Sequence, residues 1–177
     1  MNTAYFQSTV NELNTAASHL NKYVAYINKE VTKIESQPKP SAASYLSVAQ
    51  TPCGQLSILL VQATESLSTT AAKISTKTTK ATTDITAMQA KITTERAALA
   101  TLMIAPTDLP SLLTWVNKVI ATFAGPYATY TGQQVTIVAQ EALLATAITN
   151  FATALTNATN TITSTISTAQ TKFGCSI

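Results

Sequence analysis

The chain has 177 residues, of which 46% are hydrophobic and only 11% are charged, and its formal net charge is +3. The apolar content excludes a disordered chain, and the length suffices for one domain with a substantial core. The weak, dispersed positive charge argues against nucleic acid as a partner, and the scarcity of glycine disfavours a many-stranded fold.

The amino-terminal residues, MNTAYFQSTV, contain neither a basic region nor an apolar core, so we expect no secretory signal there. No apolar run is long enough for a classical membrane span, and the nearest candidate, residues 142–155, carries Asn150.

The first predicted element is a long amphipathic helix over about residues 3–35. Its apolar residues alternate in steps of four and three, which is the heptad pattern of a bundle or coiled coil. They are Phe6, Val10, Leu13, Ala17, Leu20, Val24, Ile27, Val31 and Ile34. Two prolines in SQPKPS end this helix, and we predict a linker over residues 36–54.

The second predicted helix covers about residues 55–104 and keeps the heptad alternation with one inserted step of four. Its seam includes Ile85, Ile92, Leu99 and Leu102. Threonine is unusually dense here, and each threonine lowers helix propensity by several tenths of a kcal/mol relative to alanine. We therefore expect this helix to depend on neighbouring helices for its stability.

Two further helices are predicted after the sequence APTDLP. Thr107 or Asp108 is suited to cap a short third helix over about 109–124, which Gly125-Pro126 should end. A fourth helix follows over about 133–172, with a seam that includes Leu144, Phe151 and Ile162. We predict a single all-α domain over residues 1–177: an elongated antiparallel helical bundle with coiled-coil-like packing, three long helices and one short helix.

The two cysteines provide a topological clue. Cys53 precedes the second helix and Cys175 follows the fourth, so the cysteines meet if these helices are antiparallel. A disulfide there would close a loop of more than a hundred residues and would indicate an oxidising location: extracellular, cell-surface or particle-associated. The alternative is two unrelated free thiols.

The sequence contains no recognisable catalytic constellation. His19 is the only histidine, no cysteine pair has metal-ligand spacing, and the four glycines form no phosphate-binding loop. We therefore predict no enzyme activity, no metal site and no cofactor.

Two groups of residues are candidates for contact with a partner. Lys73, Lys77 and Lys80 form a basic stripe, for which a solvated face with ordinary helical ion pairs is the favoured interpretation and contact with an anionic surface is the alternative. The aromatic residues at the junction of helices 3 and 4 suit a protein or lipid interface, and core packing is the alternative. They are Trp115, Phe123, Tyr127 and Tyr130.

The carboxyl-terminal third is almost free of charge: Glu141 is the only charged residue between Val119 and Thr171. Burial by sister subunits, contact with lipid, glycosylation at the Asn157 sequon and a neutral solvated surface are four explanations. The leading hypothesis is a non-enzymatic structural or assembly protein that forms a homo-oligomer or binds other proteins. The alternatives are a membrane-active bundle with the general architecture of α-helical pore-forming toxins, and a carrier of an apolar ligand.

Overall fold

The computed structural model describes residues 3–38 and 48–175, and within these ranges it contains helices and no strand. The elements are α1 (Thr3–Glu35), a 3-10 turn (Val48–Gln50), α2 (Pro52–Leu102), α3 (Leu109–Thr122), a π-helical segment (Phe123–Tyr127) and α4 (Ala128–Phe173). The predicted all-α helical bundle is confirmed, with α1 and α2 packing against α4.

The chain divides into two compact units. Unit 1 comprises Met1–Thr9 and Thr78–Ala145, and unit 2 comprises Val10–Lys77 and Thr146–Ile177. The single domain over residues 1–177 stays a prediction.

Unit 2 is a three-helix bundle around a continuous apolar core. Ionic and polar contacts at one end fix the helix directions: Lys172 Nζ lies 3.5 Å from a Glu35 carboxylate oxygen, and the Gln37 amide donates to Gln55 at 2.9 Å. Within this unit α2 is therefore antiparallel to both α1 and α4. The buried apolar side chains are Val10, Leu13, Leu20, Ile27, Val31, Ile34, Leu56, Leu59, Ala63, Leu67, Ile74, Ala147, Phe151, Ala158, Ile162, Ile166 and Ala169.

The structure joins Cys53 and Cys175 by a disulfide with a Cα–Cα distance of 5.6 Å, so the predicted meeting of the two helix ends is confirmed. Helix α4 delivers Cys175 to this point through its carboxyl-terminal cap. Gly174 has a φ of 68°, and the amide groups of Gly174 and Cys175 donate to the carbonyls of Thr171 and Gln170. This is a Schellman motif, in which glycine adopts the left-handed conformation at little steric cost.

The start of α2 corrects the predicted linker of residues 36–54. Helix α2 begins at Pro52, and the 3-10 turn at Val48–Gln50 precedes it, while residues 39–47 lie outside the described ranges. Proline suits the first helical position because its missing N–H would have no intrahelical partner there. A side chain at Gly54 would collide with the Val48 carbonyl, so glycine allows this tight entry into the helix.

Unit 1 has a smaller core, to which α2, α4 and the first turns of α1 contribute. The Gln89 amide of α2 donates to the Glu141 carboxylate of α4 at 2.8 Å. The buried apolar side chains are Phe6, Ala81, Ile85, Ile92, Ile137 and Leu144.

The predicted helix stop at Gly125-Pro126 is wrong. Helix α3 ends at Thr122, close to the predicted 124, but the chain stays helical and α4 begins at Ala128 rather than near 133. The π-helical segment connects α3 directly to α4 with helical backbone angles at Thr122 and Ala128. Proline lacks the N–H that an α-helix would use at this point, and a wider turn accommodates the missing donor. The Thr129 hydroxyl and the Ala128 amide both donate to the Gly125 carbonyl, which secures the junction.

Candidate functional site: an uncovered helical hairpin

The apolar core of unit 1 ends well before the helices do. The last buried side chain of α2 is Ile92, and the next one among the described side chains is Ile137 in α4. Among the side chains that the structure describes in residues 93–136, none is buried. We call this segment, which contains the end of α2, all of α3 and the start of α4, the uncovered hairpin.

The uncovered hairpin is nevertheless rich in large apolar side chains. Ile104 is 74% exposed, Leu113 69%, Ile120 61% and Val135 67%, and Met103, Phe123 and Tyr127 are also exposed. Single exposed apolar residues are ordinary on protein surfaces, but here several lie along one helical hairpin.

Polar contacts connect the elements of the uncovered hairpin. Trp115 Nε1 donates to the Leu102 carbonyl at 2.6 Å, and Arg96 donates to the Gln134 side chain at 3.2 Å. Tyr130 donates to Glu95; partial burial of the phenol, together with this hydrogen bond and the carboxylate charge, raises the pKa of Tyr130. These contacts fix the two sides of the hairpin while leaving the outward apolar surface open.

Asp108 caps α3, as predicted, by accepting a hydrogen bond from the Ser111 amide at 2.9 Å. Hydrogen bonds from Ser111 lower the pKa of the Asp108 carboxyl, because they stabilise its charged form. The cap sets where the helix starts and therefore which side chains of α3 face outward.

Threonine gives the helix surfaces an unusual chemical character. At least sixteen threonines in the described residues, including Thr93, Thr94, Thr101, Thr129 and Thr131, donate their hydroxyl to the backbone carbonyl four residues earlier. With its donor satisfied within the helix, such a hydroxyl loses less on leaving water than an unpaired one. A threonine-covered helix face can therefore be buried without polar partners.

The four predicted aromatic residues do not form one cluster of equivalent side chains. Phe123 and Tyr127 are exposed and contact each other with ring centroids 5.0 Å apart. Trp115 and Tyr130 are half-buried and hydrogen-bonded to Leu102 and Glu95. The sequence placed all four residues at the junction of helices 3 and 4. It did not show that the hydrogen-bond partners of Trp115 and Tyr130 belong to α2.

The predicted lysine stripe separates into individual contacts. Lys80 pairs with Asp84 at 2.8 Å and lies over the Tyr5 ring, and the hydrogen bond and charge of Asp84 raise the pKa of Lys80. Lys77 pairs with Glu12 of α1. Lys73 lines a groove between α1 and α2 together with His19. An anionic-surface role for the whole stripe stays a prediction.

Asn157 is exposed on α4, and its glycosylation stays a prediction. Within the described ranges, no group of three or more His, Cys, Asp or Glu side chains is placed to hold a metal ion.

One helical stretch, Pro110–Phe173, is long and apolar enough to cross a membrane by length and composition. Its most apolar window has a mean hydropathy of 1.3, and 22% of that window is buried. This test uses length and composition alone, and a core helix of a soluble protein also satisfies it.

Comparison with known protein families, curated proteins and solved structures finds no match.

Proposed function

We propose that this chain is a non-enzymatic structural or assembly protein whose uncovered hairpin packs against other copies of the chain in an oligomer or larger particle. The observation that carries the proposal is the contrast within residues 93–136 between large apolar side chains and the lack of burial among the described ones. Covering apolar surface contributes about 25 cal/mol per Å², so association would stabilise both the hairpin and the assembly.

The charges of the uncovered hairpin favour a protein partner over lipid. Glu95, Arg96, Asp108 and Lys118 are distributed along it, and inserting the whole hairpin would carry them into hydrocarbon. A charged side chain at the centre of a bilayer costs several kcal/mol, whereas the rim of a protein interface accommodates charges in water.

Threonine explains why such a surface can be stable both alone and in an assembly. Its hydroxyls keep the exposed helix faces hydrated. Because these hydroxyls also donate to backbone carbonyls of the same helix, the free-energy cost of desolvating those faces is reduced. The near-absence of charge after Val119 adds to this, because few ions must be desolvated on contact.

Sedimentation equilibrium over a wide protein concentration range tests the proposal. The double variant Leu113→Gln/Ile120→Gln removes apolar surface from the hairpin. The matched control Ile58→Gln/Val61→Gln alters two exposed apolar residues of unit 2. We expect wild type and control to associate and the hairpin variant to remain monomeric. A monomeric wild type at high concentration, or equal association of both variants, would refute the proposal.

A second candidate, membrane insertion of part of the same region, is favoured by one specific observation. Residues 119–140 contain no charge and are bounded by Lys118 and Glu141. At 1.5 Å per residue this stretch is about 33 Å long, close to the thickness of a hydrocarbon core.

Leakage of a dye from anionic liposomes separates the two candidates. Membrane insertion requires leakage by wild type and a change on Trp115→Ala. Assembly without insertion gives concentration-dependent association in solution and no leakage.

A further inference from the structure

A groove lies between α1 and α2 within unit 2, and it shares no residue with the uncovered hairpin. Its volume is about 550 Å³. Its walls are Glu12, Thr15, Ala16 and His19 of α1, and Thr70, Lys73, Ile74, Thr76 and Lys77 of α2. The volume is in the range of small-molecule sites in proteins.

Small side chains open this groove in an otherwise well-packed bundle. Leu13 and Leu20 of α1 are buried, but Ala16, which lies between them along the helix, is only half-buried. Ile74, at 9% exposure, forms the opposite apolar wall. A larger residue at position 16 would fill the space, so the alanine creates the groove.

Around the groove, one cation has no counterion among the residues that the structure describes. Glu12 and Lys77 pair with each other at one end. Lys73 makes no ion pair within the described residues, and His19 is exposed further along the same wall. Any occupant therefore meets an apolar surface of Ala16 and Ile74 together with an unneutralised ammonium group.

We infer that this groove binds a single-chain amphiphile with a carboxylate head, of the fatty-acid class. The carboxylate pairs with the Lys73 ammonium, and the alkyl chain lies against Ala16 and Ile74. Charge complementarity selects an anion over a cation, and the apolar walls select an alkyl chain over a sugar or nucleotide.

Dodecanoate, used below its micelle concentration, is the probe, and dodecyltrimethylammonium is the charge-reversed comparison. Isothermal titration calorimetry gives the affinity, and native mass spectrometry gives the number bound per chain. Lys73→Gln removes the ammonium and Ala16→Leu fills the groove. The matched controls are Lys22→Gln and Ala152→Leu, which change exposed residues of unit 2 outside the groove.

We expect one dodecanoate per chain, at least about fivefold weaker binding by Lys73→Gln, and no binding by Ala16→Leu. Both controls should bind like wild type, and circular dichroism should show all four variants folded. No dodecanoate binding by wild type would overturn the inference. So would equal binding of the cationic amphiphile, or wild-type affinity in both groove variants. Because the groove contains no residue of 93–136, the Leu113→Gln/Ile120→Gln variant should retain binding, so this inference and self-association can fail separately.

Discussion

Two isoleucines of unit 1 provide a direct test of where the core ends. Ile137 is 3% exposed and Ile120 is 61% exposed, and the two lie in the same helical stretch. Each Ile→Ala substitution removes three carbon atoms. Ile120 lies within the uncovered hairpin, whereas Ile137 lies just beyond its end.

The expected magnitudes follow from the burial of each side chain. Removing buried carbons costs about 0.8 kcal/mol each, and the cavity left behind adds to this, so Ile137→Ala should reduce the free energy of unfolding by about 3 kcal/mol. Ile120 has only a minor part of its surface covered, so Ile120→Ala should cost about 1 kcal/mol or less in the monomer. Alanine has a higher helix propensity than isoleucine, which offsets part of that cost.

Urea unfolding monitored by circular dichroism, at a concentration where the chain is monomeric, measures both values. Sedimentation equilibrium at high concentration then measures association, which Ile120→Ala should weaken although it hardly affects the monomer. Equal destabilisation of the dilute monomer by the two substitutions would refute the reasoning, because it would show that Ile120 is already covered within one chain.

Four further predictions test separate parts of the structure. Cys53→Ser should lower the free energy of unfolding by about 5 kcal/mol, because the disulfide closes a loop with a sequence separation of 122; a loss below about 1 kcal/mol would contradict this. Gly174→Ala should cost about 1 kcal/mol in the same assay, because it forces a residue with a Cβ into left-handed backbone geometry; no loss would contradict the cap. Because the pKa of Asp108 is lowered in the folded chain, its cap stabilises α3 at pH values above the ordinary carboxyl pKa of 3.8, and this stabilisation is lost as pH falls through the lowered pKa. Trp115 fluorescence should report this acid transition. An unchanged transition in Asp108→Ala would contradict the assignment. Thr94→Val should preserve association, whereas Thr94→Ser should weaken it, because the Thr94 hydroxyl already donates to the Ala90 carbonyl and only the methyl group remains to add apolar contact area; the opposite order in sedimentation equilibrium would contradict the role given to threonine.

Heptad periodicity predicted most of the bundle correctly, because the side chains buried between packed helices recur with the heptad spacing. Leu20 and Ile27 of α1 and Ile85 and Ile92 of α2 occupy predicted seam positions and are buried. The meeting of Cys53 with the residue that follows α4 also came from sequence, because helix lengths and directions determine which ends coincide.

The uncovered hairpin shows what periodicity cannot determine. Leu99 and Leu102 continue the α2 seam in sequence, yet both are only half-buried. A repeating apolar pattern specifies a face that should be covered, but whether the same chain supplies the cover depends on tertiary packing. The Gly125-Pro126 stop failed for a related reason: local turn signals were strong, but a π turn kept the helix continuous.

The groove was missed because its signal is a small residue, Ala16, beside a heptad rather than a motif. Alanine is common in helices and carries no chemistry of its own. Its effect appears only when the facing residues, Lys73 and Ile74, are known from the packing of α1 and α2.

Hydrogen–deuterium exchange at low and high protein concentration tests the central claim most directly. The account predicts that backbone amides in residues 93–136 exchange rapidly in dilute solution and become protected when the chain is concentrated, while the core of unit 2 stays protected throughout. Strong protection of residues 93–136 in the dilute monomer, or rapid exchange there at every concentration, would contradict it.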